Sequence, residues 1–164
     1  MKNQFSLNFI NTLIIFTNII GFILSLYAYH VETQKEIDVN YEAMCDINEF
    51  ISCSKAFSSK YGKGFGIVKP LLGEESIFYQ PNSLFGLIFY TTISILSLFN
   101  TIQSSKVMLI MSIASNFGSV YLAFILYLLQ DICVVCVSTY IVNLVNLLLS
   151  WIKLKTIKSK VHRD

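Results

Sequence analysis

The chain has 164 residues, 54% of them hydrophobic and 13% charged, with a mean hydropathy of +0.61. That balance excludes an ordinary soluble domain, and the length holds one compact unit. The net charge of +2 is small, and the basic residues lack interleaved stacking aromatics, which argues against a nucleic-acid partner. A membrane setting is the economical reading.

Residues 9–29 form the first apolar run, long enough to cross a hydrocarbon core of about 30 Å. The run follows Lys2, exceeds the usual signal-peptide core and is not closed by an A-x-A-like site, so it reads as a retained helix or signal anchor. Asn11, Asn18 and Ser25 recur every seven residues along it, in position to hydrogen-bond another helix. The next segment, 30–83, carries Lys35, Lys55, Lys60, Lys63 and Lys69 against eight carboxylates. Gly62, Gly64, Gly66, Gly73, Pro70 and Pro81 make it turn-rich, and Ile67, Val68, Leu71 and Leu72 supply an apolar patch. A lid resting at the membrane surface is expected there.

Asn82-Ser83 suits an N-cap for the second apolar run, 84–102, and further runs follow at 107–129 and 132–152. In the third, Ser115, Ser119 and Ala123 form a small-residue stripe that allows close helix approach. The tail after Trp151 carries Lys153, Lys155, Lys158, Lys160 and Arg163, whereas the Gln130-Asp131 break has no basic residue. The positive-inside rule therefore puts the tail in the cytoplasm. Four spans place both termini there and bring Cys45, Cys53, Asn82 and Cys133-Val134-Val135-Cys136 to the opposite, lumenal face. The expected fold is an all-α membrane protein, one integral membrane domain over 1–164. It is a bundle of four transmembrane helices with a lumenal loop and short-helix cap between the first and second. No internal repeat or low-complexity tract is present.

Four cysteines in a lumenal setting ordinarily suggest two structural disulfides, and Cys45 with Cys53 fits that reading. A zinc site is disfavoured, because Cys45 and Cys53 lack the usual close ligand spacing and an oxidising lumen opposes free thiolates. Cys133 and Cys136 differ: a C-x-x-C pair at a helix start gains thiolate character from the helix N-terminus, and its second sulfur can attack a mixed disulfide formed on the first. The alternative is that both are inert, packed as small hydrophobes. Against it, Cys133, Cys136, Tyr140 and Asn143 fall within an arc of roughly 80° on one helix face. Asn143 reads best as a helix–helix hydrogen bond. Tyr140, about 6 Å along the helix from Cys136, is either an interfacial anchor or a hydroxyl donor beside the sulfurs. A membrane-embedded dithiol next to such a donor suggests a lipophilic, oxygen-bearing electron acceptor such as a quinone.

A set of motifs runs in register through the chain: Leu26-Tyr27-Ala28-Tyr29-His30-Val31, Cys45-Asp46, Ile51-Ser52-Cys53-Ser54, Phe57-Ser58-Ser59 and Gly62-Lys63-Gly64-Phe65-Gly66. It continues in Asn82-Ser83-Leu84-Phe85-Gly86, Ile88-Phe89-Tyr90, Gly118-Ser119-Val120-Tyr121-Leu122-Ala123, Cys133-Val134-Val135-Cys136 and Thr139-Tyr140. On these motifs the sequence closely resembles the vitamin K epoxide reductase family over nearly its whole length.

The resemblance implies a four-helix bundle of the endoplasmic reticulum membrane that reduces vitamin K epoxide to the quinone and the quinone to the hydroquinone. In that pattern Cys136 attacks the substrate and Cys133 resolves the adduct. Cys45 and Cys53 are the shuttle pair, taking electrons from a lumenal thioredoxin-like partner and passing them on through a Cys53–Cys133 disulfide. Asn82 and Tyr140 match residues that hydrogen-bond the quinone oxygens, and Phe57 and Phe89 match apolar pocket walls. Asp46 matches a lid contact, although a solvated loop carboxylate is the simpler reading. No metal and no permanently bound cofactor is expected. Vitamin K quinone or epoxide is the naphthoquinone substrate, thiols are the reductant, and 4-hydroxycoumarins are candidate inhibitors.

Tyr61 departs from the pattern, standing where vertebrate members commonly have Trp, and the additional helix cysteines of some members are absent. Retention in the endoplasmic reticulum rests on the resemblance alone, because Val161-His162-Arg163-Asp164 is no KDEL signal. Two rivals stand beside the reductase: a quinone-coupled disulfide generator and a structural tetraspan with a loop disulfide.

Overall fold

The computed structural model describes residues 2–48 and 50–161, with side chains from Ser6 onward. Arg163, the terminal 162–164 and the Lys2 side chain lie outside the described residues. Helix α1 (Lys2–Ile37) has 36 residues and is about 54 Å long, well beyond the expected 9–29. Its last turns carry His30, Glu32, Lys35 and Glu36 past the apolar run. Helix α2 (Cys53–Ser58), a 3₁₀ turn (Gly64–Gly66) and α3 (Val68–Leu72) punctuate the connection to α4 (Asn82–Ser97), after which come α5 (Ile102–Leu129) and α6 (Val134–Val161). Among the described residues there is no strand, only isolated bridges at Asn48 with Ile51 and Lys63 with Pro81.

Three helices, α1, α5 and α6, are long and apolar enough to cross a membrane. Helix α4 has 16 residues, about 24 Å, and stops at Ser97 rather than 102. The chain turns there because Thr101 begins the next helix, its hydroxyl accepting the Ser104 N–H at 3.1 Å. Gln130, in the left-handed region at φ 52°, ends α5. The expected capping role of Asn82 is not found: Pro81 holds the N-cap position of α4 and Asn82 is its first helical residue.

Helices α1, α4 and α6 pack together, and α5 lies along α6. Of the α1 asparagines, Asn18 bonds another helix as expected, whereas Asn11 reaches the turn between α4 and α5. Asn18 and Asn146 exchange amide hydrogen bonds at 2.9 and 3.3 Å, and Asn11 donates to Asn100 at 3.0 Å. Ser112 and Ser150 bond at 3.2 Å across α5 and α6. Of the α5 stripe, Ser119 engages α6, but Ala123 is exposed. Close approach is enforced where Gly21 faces the Tyr90 ring and Gly86 faces Ser25; a methyl group at either position would collide.

Outward-facing Phe16, Phe117 and Val120 are exposed, as residues facing lipid would be. Lys153 is not a solvated tail residue. It is fully buried, and its Nζ donates to the Ser97 carbonyl at 2.5 Å, a cation at the C-terminal end of α4. In the segment between α1 and α4, Ile67, Leu71 and Leu72 are exposed.

Candidate functional site

The site begins at the break between α5 and α6. Cys133 lies just before α6, and its Sγ accepts the Cys136 N–H at 3.2 Å, so the sulfur occupies the place of a helix cap. Donors and dipole there stabilise a thiolate. Cys133 and Cys136 form a disulfide with Cα atoms 5.2 Å apart. Their environments differ: Cys133 is wholly buried, whereas Cys136 is half-buried and lines a cavity of about 390 Å³, a volume suited to a small ligand.

The cavity runs between α1, α4, α5 and α6 beneath the loop around the 3₁₀ turn. Phe57, Phe89, Asn82 and Tyr140, the residues expected to bind substrate, all line it, as does Tyr61. The Tyr140 hydroxyl has no hydrogen-bond partner among the described residues and is open to a ligand. Asn143 also lines the cavity, and its amide joins two neighbouring helices. Its Oδ1 accepts from Tyr90 at 3.0 Å and its Nδ2 donates to Ser119 at 2.9 Å, the helix–helix role expected of it.

Asn82 fastens the loop. Its Oδ1 accepts the Phe65 N–H at 2.8 Å and its Nδ2 donates to the Tyr61 carbonyl at 2.6 Å. One amide hydrogen remains for a ligand. Gly64, Phe65 and Gly66 all have positive φ, 53°, 57° and 71°, a sequence of left-handed residues that curls the backbone tightly over the cavity. The Tyr121 hydroxyl holds the Phe65 carbonyl at 3.1 Å, and the Phe65 ring stacks on Phe85 at 5.6 Å.

The second disulfide joins Cys45 and Cys53, with Cα atoms 5.7 Å apart. Cys53 opens α2 and is fully buried, while Cys45 is partly exposed, with Tyr27 Oη 3.6 Å from its sulfur. Asp46 is no solvated loop carboxylate. It accepts from Ala43 N–H, Ser52 Oγ and Ser54 N–H at 2.7 to 3.0 Å. Burial alone would raise its pKa, but the bonds from Ser54, Ser52 and Ala43 prevail and hold it down at about 2. The 50–53 segment is pinned to the helix break: Asp131 Oδ1 accepts the Ser52 N–H at 3.1 Å, and the Ile132 N–H donates to the Phe50 carbonyl at 2.8 Å. Burial raises the Asp131 pKa. Cys53 and Cys133 consequently share one buried cluster, with Cys45 and Cys136 packed against it.

Sequence reasoning missed several wall residues, including Glu32, Ser83, Phe65 and Tyr90. The available signal for Glu32 was a carboxylate directly after the apolar run. No group of His, Cys, Asp and Glu that could hold a metal occurs among the described residues.

Comparison with known proteins identifies the family. Residues 12–151 match the vitamin K epoxide reductase family. Vitamin K epoxide reductase complex subunit 1 of Mus musculus is 45% identical over 143 residues, covering 87% of this chain and 89% of the relative. The Rattus norvegicus protein of the same name is 43% identical over 141 residues, covering 85% and 88%. With a family match across most of its length and relatives of this similarity, the chain belongs to the vitamin K epoxide reductase family.

Proposed function

We propose that this protein is a membrane thiol oxidoreductase that reduces vitamin K 2,3-epoxide to the quinone and the quinone to the hydroquinone, each reduction oxidising the Cys133–Cys136 dithiol. The observation that carries the proposal is the placement of Cys136 in the wall of an apolar cavity that also presents the free hydroxyl of Tyr140. The cavity's size fits a naphthoquinone ring system, with Phe57 and Phe89 as apolar walls. Cys136, the sulfur facing the cavity, attacks the substrate. Buried Cys133 attacks Cys136 in turn, forming the disulfide and releasing product. The epoxide yields quinone and water, and the quinone yields hydroquinone. Tyr140 and the remaining amide hydrogen of Asn82 donate to oxygens on which charge develops.

Electrons enter through Cys45 and Cys53. Partly exposed Cys45, flanked by exposed Met44, Ile47 and Phe50, is the sulfur that a lumenal thioredoxin-like protein reaches. Cys53 hands the electrons to Cys133 through a transient disulfide, aided by the pinning of 50–53 to 131–133. A 4-hydroxycoumarin, planar and oxygen-bearing, competes for the same cavity.

The whole chain forms one integral domain of the endoplasmic reticulum membrane, with α4 as the fourth crossing helix. Lys155, Lys158 and Lys160 hold the C-terminal end in the cytoplasm and both disulfides face the lumen. A glycosylation acceptor engineered near Glu74 should therefore be modified; an unmodified acceptor would argue for the inverted orientation. The activity is tested by dithiothreitol-driven turnover of vitamin K epoxide with the purified protein in detergent. Quinone formation that is lost in both Cys136→Ser and Cys133→Ser is expected, and substantial turnover by either variant would sink the assignment.

A further inference from the structure

Reducing a quinone to a hydroquinone takes up two electrons and two protons, and a closing dithiol supplies the electrons. Of the other groups on the cavity wall, the asparagines and serines do not ionise. Among the described residues Glu32 is the one carboxyl group there. It is 5% exposed, and it accepts a hydrogen bond from the hydroxyl of Ser83, 8% exposed, in the first turn of α4 beside Asn82. One helical turn further along α1, Glu36 pairs with Lys63 at 2.5 Å, and their side chains are 52% and 37% exposed. Exchangeable groups thus line up from water at Glu36, through Glu32 and Ser83, to the cavity. The serine hydroxyl both donates and accepts, so it can pass a proton on.

We propose, resting on the reductase reading above, that Glu32 and Ser83 are a proton-delivery pair for the bound quinone, with Glu32 reloaded from water at the Glu36–Lys63 end. In the first step the Cys136 sulfur, its proton lost to water, adds to a ring carbon, and a carbonyl oxygen takes the Ser83 hydroxyl proton as that hydroxyl turns from Glu32 to the quinone and is refilled by the Glu32 carboxyl proton. In the second the deprotonated Cys133 sulfur attacks Cys136 Sγ. The S–S bond forms, the carbon–sulfur bond breaks with its electron pair passing into the ring, and the other oxygen takes up a proton from the reloaded pair. One dithiol and one quinone become one disulfide and one hydroquinone, and the protons shed by the thiols equal those taken up. The charged groups acting on Glu32 are Glu36 on its own helix and Lys63 on the loop; the other titratable groups on the cavity wall are Tyr61 on the loop, Tyr90 on α4, and Cys136 and Tyr140 on α6, while α5 presents none there.

Glu32→Gln separates this role from a structural one, because the amide oxygen still accepts from Ser83 but the side chain no longer releases a proton. The test is dithiothreitol-driven turnover of vitamin K quinone by the full chain in detergent. Glu32→Gln should keep its thermal midpoint and a KM within about twofold, while kcat falls by about a hundredfold or more and its pH dependence flattens. Ser83→Ala should lose roughly tenfold in kcat, and formate should restore part of the turnover of Glu32→Ala. Wild-type kcat in Glu32→Gln, or losses confined to KM or thermal stability without formate rescue, would overturn the pair while leaving the reductase reading intact. Absence of turnover by the wild-type protein would overturn both. If Glu32→Gln does not fold, infrared difference spectra of the wild-type protein on adding quinone decide the matter. A perturbed carboxyl band that shifts in frequency in Glu32→Asp is expected, and no carboxyl change would refute the pair.

Discussion

Replacing Asn82 by alanine should open the loop over the cavity before it does anything else. The side chain makes two hydrogen bonds to that loop, at 2.8 Å to the Phe65 N–H and 2.6 Å to the Tyr61 carbonyl, in a partly buried setting. Losing each bond costs about 1–2 kcal/mol when the backbone group is left unpaired. Together they shift the local opening equilibrium by about 2–4 kcal/mol, or about 30- to 700-fold. The contacts that remain, Gly64 N–H to the Gln80 carbonyl and Asn82 N–H to the Gly62 carbonyl, keep the loop attached at its base. Amide hydrogen exchange at Gly64, Phe65 and Gly66 should accelerate by that order, and the KM for quinone should rise with it. Asn82→Asp retains the acceptor for Phe65 but loses the donor to Tyr61, so its effect should be intermediate. Unchanged exchange at Phe65 together with a large loss of kcat would refute the clamp and leave Asn82 acting on substrate alone.

Other perturbations probe the remaining parts. Cys45→Ser or Cys53→Ser should impair turnover driven by a thioredoxin-like protein much more than turnover driven by dithiothreitol, which reaches Cys133 and Cys136 without the shuttle. Equal losses under both reductants would make that pair merely structural. Tyr140→Phe should reduce kcat by roughly ten- to a thousandfold with little change in thermal stability, since its hydroxyl bonds nothing else described; near wild-type turnover would remove it as a donor. The Asp46 pKa is depressed in the folded protein, so its stabilising effect is full above the ordinary carboxylate value of about 3.9 and fades as pH falls through about 2. Asp46→Asn should therefore be less stable than wild type near neutrality and converge with it in acid. A constant difference across that range would show that the hydrogen bonds to Asp46 do not act through its charge.

Much of the site could be read from the sequence because its chemistry sits in local patterns. The spacing of Cys133 and Cys136 at a helix start, and the shared face with Tyr140 and Asn143, depend only on helical periodicity, and three of those four residues line the cavity as that face requires. The asparagines of α1 were likewise legible, because polar groups inside an apolar run need partners. Asn82 misled because an asparagine ahead of an apolar run is a common cap. Its true partners, Tyr61 and Phe65, lie 21 and 17 residues away, a tertiary choice that local propensity does not encode. Glu32 was passed over for a related reason: its partner Ser83 is 51 residues distant, and only packing of α1 on α4 turns a helix-end carboxylate into part of a cavity wall. Lys153 looked like one of several tail cations, yet the end of α4 at Ser97 supplies a carbonyl for it that no span prediction ending at 102 would offer.

The central claim, that quinone takes its electrons from the C-x-x-C pair, is tested most directly by a single turnover without external reductant. The protein is reduced, freed of dithiothreitol, mixed anaerobically with one equivalent of vitamin K quinone, quenched in acid and alkylated, and the state of each cysteine is read by mass spectrometry. Hydroquinone should appear in step with the loss of alkylatable thiols, and in Cys45→Ser, where the shuttle is broken, the lost thiols should be Cys133 and Cys136. Hydroquinone formation with Cys133 and Cys136 still fully alkylatable in that variant would contradict the account.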